Sequence, residues 1–308
     1  MSDSPKPDPY PSLRVDDWES TRELMHMWTQ VVGKIRMARE PMVNHWWQVT
    51  SYVSARGLTT GVIHDRGSVF ELEFDLVDHE LLIRSPEHPT QSIELRTGSV
   101  AGFYKDVMAA LERLDHAVEV WPVPVEVAVA TPFLEDTTER EYSPEHAHLF
   151  WRQLVAADRI LKQFRSEFAG KVSPVHFFWG SFDMAVTRFS GRGAPTHPGG
   201  APNCADWVMV EGYSHELTSC GFWPGGGEEG AFYAYAYPEP DGYREATIRP
   251  DQAYYFAGAG QYLLPYEAVR TADNPDATLL AFLRDTHRAA AERAGWDPSL
   301  DYEPTPQD

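Results

Sequence analysis

Side chains able to do chemistry crowd into one stretch of this chain. His176 opens the run His176-Phe-Phe-Trp179, Asp183 follows, and Arg188 and Arg192 come next, the latter in Ser190-Gly191-Arg192-Gly193. An imidazole set among rings stays uncharged because desolvation penalises its cation, so it can serve as a general base or a metal ligand. The plainer role is a core histidine donating to a carbonyl. His45, in Asn44-His45-Trp46-Trp47, carries the same two readings. His215-Glu216 puts an imidazole beside a carboxylate. With His45 or His176 as further ligand, these residues would form a His/carboxylate set around a divalent metal with a position left for water. Adjacent strand residues point to opposite faces, however, so His215 and Glu216 reach one ion only if the backbone bends. No His-Glu-x-x-His or similarly tight ligand motif is present.

Without a metal, His176, Asp183 and Glu216 are the candidate acid/base groups. Arg188 and Arg192 stand where a strand opens into a Gly/Pro-rich loop, and a guanidinium there can clamp an anionic substrate group or form a structural ion pair. Trp179, Trp223, Tyr233 and Tyr235 are the candidate walls of the substrate pocket. Phenolic hydroxyls need partners when buried, so a tyrosine stripe favours water or a ligand over a dry core. Cys220 reads as buried and inert rather than nucleophilic. Pro224-Gly225-Gly226-Gly227 lacks the following Gly-Lys-Ser/Thr, and Glu228-Glu229 would repel a phosphate.

These residues need elements to hold them. The spacing of Leu24, Trp28, Val31, Val32 and Ile35 predicts a helix from a cap at Asp16 or Asp17 to about Arg39, stopped by Pro41. Alternation predicts strands over Val43–Val53, Val69–Leu76, Leu81–Arg84 and Ser92–Leu95, with a hairpin turn at Val77–Glu80 and a helix over Gly98–Leu114. A proline-punctuated connector spans Val118–Thr131. Leu134–Glu145 is an acidic loop, and Ser143-Pro144 caps a helix reaching about Phe168. Further strands are expected at Val172–Trp179, Phe182–Phe189, Ala231–Tyr237, Ala246–Ile248 and Ala253–Phe256, with Trp207–Glu211 and Leu217–Trp223 as a hairpin. A last helix is expected over Asp276–Ala294. The domain reading is a disordered lead (1–15), a first β-rich lobe with its helix (16–133), an acidic loop and linking helix (134–170), a second β-rich lobe (171–296) and an acidic, unstructured tail (297–308).

His45-Trp46-Trp47 and His176-Phe177-Phe178, each followed by an arginine-glycine pair and later by His-Glu-Leu, hint at an internal duplication whose histidines would meet at a shared crevice. The fold class is α+β: antiparallel sheet lobes with packing helices, either a duplicated pair or two unrelated lobes.

The 46 acids against 26 Lys and Arg give a formal charge of −20, which repels nucleic-acid backbones and anionic membrane surfaces. The most apolar stretch, Ala117–Leu134, is broken by three prolines and cannot span a bilayer as a helix. Cys204 and Cys220 show no Cys-x-x-Cys spacing and suit a reducing cytoplasm. Neither oligomeric state nor substrate is encoded in any motif.

His176-Phe-Phe-Trp-Gly-Ser-Phe-Asp183, Thr187-Arg188-Phe-Ser-Gly-Arg192, Tyr213-Ser-His-Glu216, Cys220-Gly-Phe-Trp-Pro-Gly225, Ala234-Tyr-Ala-Tyr-Pro-Glu-Pro240 and Leu264-Pro-Tyr-Glu267, with the earlier His45-Trp-Trp and Arg56-Gly-Leu-Thr-Thr60, resemble a bacterial family known as domain of unknown function 5996 over about Pro41–Trp296. The resemblance implies no activity or cofactor. The residues themselves lead to a cytoplasmic enzyme acting on a small molecule in an aromatic/His pocket, by metal-assisted hydrolytic or lyase-type chemistry. The alternative is a non-catalytic module holding a small ligand or partner with the same aromatics.

Overall fold

The computed structural model describes residues 8–302. Two antiparallel sheets of six strands are packed with six α-helices among these residues, an α+β architecture. The first sheet holds β1 (Tyr52–Val53), β2 (Gly57–Thr59), β3 (Ile63–Asp65), β4 (Ser68–Asp75), β5 (Glu80–Ser85) and β6 (His88–Glu94), ordered β1-β2-β4-β5-β6 with β3 pairing β4. In β4 the alternate residues Phe70, Leu72 and Phe74 are buried, as a half-buried strand requires. The expected turn at 77–80 is present, with His79 at φ +58°.

The second sheet holds β7 (His176–Phe178), β8 (Asp183–Gly193), β9 (His215–Trp223), β10 (Ala231–Tyr237), β11 (Tyr254–Phe256) and β12 (Gln261–Pro265), ordered β7-β8-β9-β10-β12-β11. Both sheets are therefore near-meanders, and they meet at their first strands. Ser51, next to β1, exchanges both backbone hydrogen bonds with Phe177 of β7, at 2.9 and 2.7 Å.

Helix α1 (Glu19–Arg39) buries the stripe Leu24, Trp28, Val31, Val32 and Ile35, and α2 (Val100–Arg113) is capped by the Ser99 hydroxyl. In α3 (Pro144–Ser166), Pro144 occupies the first turn and Ser143 caps it, accepting from His146 N. The remaining helices are α4 (Asp206–Gly212), α5 (Tyr266–Arg270) and α6 (Pro275–Arg293). One face of the second sheet, carrying Phe177, Met184, Val186, Phe222 and Phe232, belongs to the main core with α3 and α6.

Several expectations need correction. Residues 43–51 form no strand: Asn44 and Trp46 adopt left-handed backbone, Gln48 accepts from Val43 N, and a 3-10 turn runs Trp47–Val49. Trp207–Glu211 lies in α4, since a short apolar run rich in β-branched residues does not distinguish helix from strand. Ala246–Ile248 is not a strand, whereas β12 and α5 went unread. No side chain caps α1, which is led in by a 3-10 turn at Val15–Trp18.

The expected disorder of 1–7 and 303–308 lies outside the described residues. Residues 8–15 are not a free lead, because Tyr10 and Leu13 are buried and the Tyr10 hydroxyl donates to Asp276. Nor is 297–302 a loose tail: Asp301 pairs with Phe168 across a β-bridge and binds Arg188 and His287.

Candidate functional site on the tyrosine face

Register decides which residues of the second sheet share the face turned away from α3 and α6. Phe178 pairs with Asp183, Ala185 with Gly221, Thr187 with Ser219, Gly221 with Tyr233, and Ser219 with Tyr235. His176, Phe178, Asp183, Thr187, Ser219, Tyr233, Tyr235 and Tyr237 therefore line one surface. His176, Asp183, Tyr233 and Tyr235, each expected at a site from sequence, are brought together here. Hydrogen bonds link much of this surface: Tyr233 donates to Asp183, Ser181 Oγ lies 2.5 Å from Asp183, the Tyr213 and Tyr235 hydroxyls are 2.8 Å apart, and Thr187 and Ser219 2.9 Å.

Three remote segments come to this face. From α1, Gln30 clamps the connector, its amide bonding both Val125 O (2.7 Å) and Val125 N (2.9 Å). That grip positions Glu126, whose own amide donates to Pro202 O of the Gly/Pro-rich loop. The loop leads through α4 to Tyr213, whose ring lies 4.5 Å from His197 and 5.4 Å from His45. His45 and His176 both pack on Phe178, at 5.9 and 4.6 Å.

Glycines permit these approaches. A Cβ on Gly33 would lie 2.1 Å from the Trp179 indole, on Gly180 2.3 Å from the Glu126 carboxylate, on Gly212 2.4 Å from the His45 ring, and on Gly221 2.6 Å from the Tyr233 hydroxyl. Trp46, Glu126 and Phe182, all bulky, hold left-handed backbone at φ +52°, +58° and +59°. Such outliers persist only where the surroundings over-determine them, and they gather at functional sites.

The electrostatics set this site apart from the rest of the molecule. Buried Asp65, Asp75, Asp136, Glu167, Glu229 and Asp285 each face an arginine. Asp183 is 8% exposed and has no cationic partner among the described residues; burial pushes its carboxyl up, against the hydrogen bonds from Ser181 and Tyr233. Glu126 has no side-chain hydrogen bond or ion pair there, and burial, followed by the charge of Asp183, raises it to about 7. Lys34, 3% exposed, is likewise without a hydrogen bond or ion pair; burial lowers its ammonium to about 8, and its Nζ lies 5.9 Å from the centre of the Trp179 ring. Burial also lowers His45 to about 4 and His176 to about 3, so both are neutral at physiological pH. His176 receives or gives one bond through Nδ1 to Thr50 Oγ1, and its Nε2 is buried without a partner.

The other expected site residues lie elsewhere. Glu216 sits on the opposite face, bound to Arg192 (2.7 Å) and Ser190 (2.9 Å), while His215 is exposed at the start of β9. The expected metal set of His45, His176, His215 and Glu216 is thus split by strand alternation, and no three His, Cys, Asp or Glu side chains among the described residues are grouped to hold a metal ion. Arg192 also donates to Ala294 O and Gly295 O at the end of α6. Arg188 is buried against the Phe164 ring at 3.5 Å and paired with Asp301. Both arginines are committed to structure. Trp179 is buried and donates to Val49 O, and Trp223 is 42% exposed. Burial raises the Cys220 thiol to about 12, which removes it as a nucleophile.

Lys34, Glu126 and Tyr213 were missed. Lys34 interrupts an apolar helical stripe and Glu126 an apolar connector, which was the available signal. A cleft of about 180 Å3 lies at the Tyr237 end of this face, between the ends of β9 and β10 and the last turn of α6, lined by Glu216, Thr218, Tyr237, Pro238 and Trp296. No helix among the described residues is long and apolar enough to cross a membrane.

No curated protein and no solved structure matches the chain. A family model described as "Family of unknown function (DUF5996)" matches residues 10–301, nearly the whole described length, and the chain belongs to that family.

Proposed function

We propose that the protein is an enzyme that transfers protons to and from a small molecule bound against the tyrosine face, with Glu126 as the group that exchanges protons and Asp183 as a protonated carboxyl held by Tyr233 and Ser181. One observation carries the reading: Glu126 and Asp183 are two neighbouring acids without a cation, in a protein that pairs its other buried acids with arginine. Two carboxyls kept apart from cations cannot both ionise cheaply, so one stays protonated while the other titrates near neutrality, the condition for efficient general acid–base work. Perturbed acids of this kind gather at catalytic sites more than in structural networks. Tyr235, Tyr213 and His45 would then orient the substrate, and the loop 194–205 with α4 would cover it.

The test is to incubate the protein with pooled small metabolites in deuterium oxide and follow isotope uptake by NMR. Uptake by a compound with the natural protein, lost with Glu126→Gln while that compound still binds, is the expected result. Binding without uptake in either protein would establish the second reading, a non-catalytic ligand-binding module, and overturn this one.

A further inference from the structure

We propose that Lys34 is the covalent anchor of this site, its amine capturing the carbonyl carbon of an aldehyde or ketone substrate as an imine; the inference rests on the proposed function and specifies its substrate class. The geometry begins with what Lys34 lacks. It is buried in α1 yet has neither hydrogen bond nor ion pair among the described residues. A structural lysine at that depth would be expected to carry a carboxylate or carbonyl partner, because an isolated buried ammonium is costly. Desolvation favours the free amine instead, since burial penalises the ammonium and no carboxylate or carbonyl among the described residues holds it. The Nζ lies 5.9 Å from the centre of the Trp179 ring, a range at which the ring attracts a cation only weakly, and Gly33, one residue earlier, leaves room for that indole.

Trp179 and Gly180 link the amine to the proton-handling group. Lys34 stands over the indole of the first, and the Glu126 carboxylate lies against the second. Cys204 is near enough to feel the charges of both, and its thiol is raised by burial to about 11. It is therefore protonated and does not compete as a nucleophile. Desolvation of Lys34 lowers its ammonium to about 8, so a large share is nucleophilic amine at mildly alkaline pH.

The step balances without any further reagent. The amine nitrogen attacks the carbonyl carbon, forming the N–C bond, and the carbonyl oxygen takes up a proton. The resulting carbinolamine loses that oxygen as water once a second proton reaches it from protonated Glu126, and the nitrogen proton passes to solvent. A protonated imine then withdraws electrons from the adjacent carbon, whose proton the Glu126 carboxylate is placed to remove.

The experiment treats the full-length protein at pH 8 with glyceraldehyde, pyruvate or benzaldehyde in turn, reduces with borohydride, and maps the adduct by peptide mass spectrometry. Adduct on Lys34 should exceed that on each of Lys6, Lys105, Lys162 and Lys171 by at least about tenfold, since burial leaves a large share of its amine unprotonated at this pH. It should vanish in Lys34→Arg, whose melting profile verifies that the fold persists. Equal labelling of the five lysines, or no adduct on Lys34 with any of the three probes, overturns the proposal. Failure here combined with deuterium uptake that depends on Glu126 would remove the covalent anchor and leave the proton-transfer reading standing.

Discussion

A half-buried acid with no counter-charge leaves a signature in stability. Folding holds Glu126 at about 7 against an ordinary 4.5, so the folded state favours the protonated form. Its contribution is complete below the unfolded pKa and is lost as pH rises through the folded one. We expect Glu126→Gln to match the natural protein near pH 4 and to exceed it above pH 8, by up to about 3 kcal/mol, as read from denaturant midpoints at each pH. An unchanged difference across that range would mean that the carboxyl is solvated. The two kinds of site residue differed in legibility. His176, Asp183, Tyr233 and Tyr235 stand in strings whose alternation places them on one strand face. Glu126 and Lys34 are marked by the partners they lack, and a missing partner is a property of three-dimensional neighbours. Glu216 and the arginines misled for the converse reason: each has a partner distant in sequence, at Arg192, Asp301 or the end of α6.

At the scale of elements, the site depends on how closely α1 approaches the 179–182 turn. A methyl at position 33 would overlap the Trp179 indole, which is also anchored by its bond to Val49 O. Gly33→Ala should cost about 1–3 kcal/mol in urea unfolding, although alanine is the better helix former. Combining it with Trp179→Leu should cost less than the two changes added together, because they share one volume. Additive losses would mean that the two do not press on each other. Long, strongly periodic elements such as β4, α2, α3, β10 and α6 were read from sequence close to their observed limits, since burial imposes the periodicity directly. Residues 43–51 and α4 were not, because side-chain hydrogen bonds, left-handed residues and packing on a remote sheet decide those short segments.

Across the whole molecule, the terminal segment completes the far side of the second sheet. Asp301 reaches between buried Arg188 and His287, and its carboxyl is held below the usual range: burial opposes this, but the bond to His287 and the charge of Arg188 prevail. That contribution is present above the unfolded pKa of an aspartate and is lost as pH falls through the depressed one. Asp301→Ala should lower the unfolding free energy read from denaturant titration at pH 7 by about 2 kcal/mol, less than a fully buried pair because Asp301 is half exposed, and the deficit should shrink toward pH 2–3. A deficit that persists in acid would assign the loss to packing. The parallel His45 and His176 strings suggested a duplication from sequence; in the structure only His176 lies on a strand, and the sheets join through Ser51 and Phe177. The four glycines that admit Trp179, Glu126, His45 and Tyr233 impose a rule on how this family can drift. At three of these notches the neighbour is a side chain, so a relative that fills position 33, 180 or 212 must shrink residue 179, 126 or 45 to match, whereas position 221 lies against the Met184 carbonyl and admits no side chain whatever stands at 233. Such paired replacements would mark the members in which this close approach of α1, the connector and the second sheet has been lost.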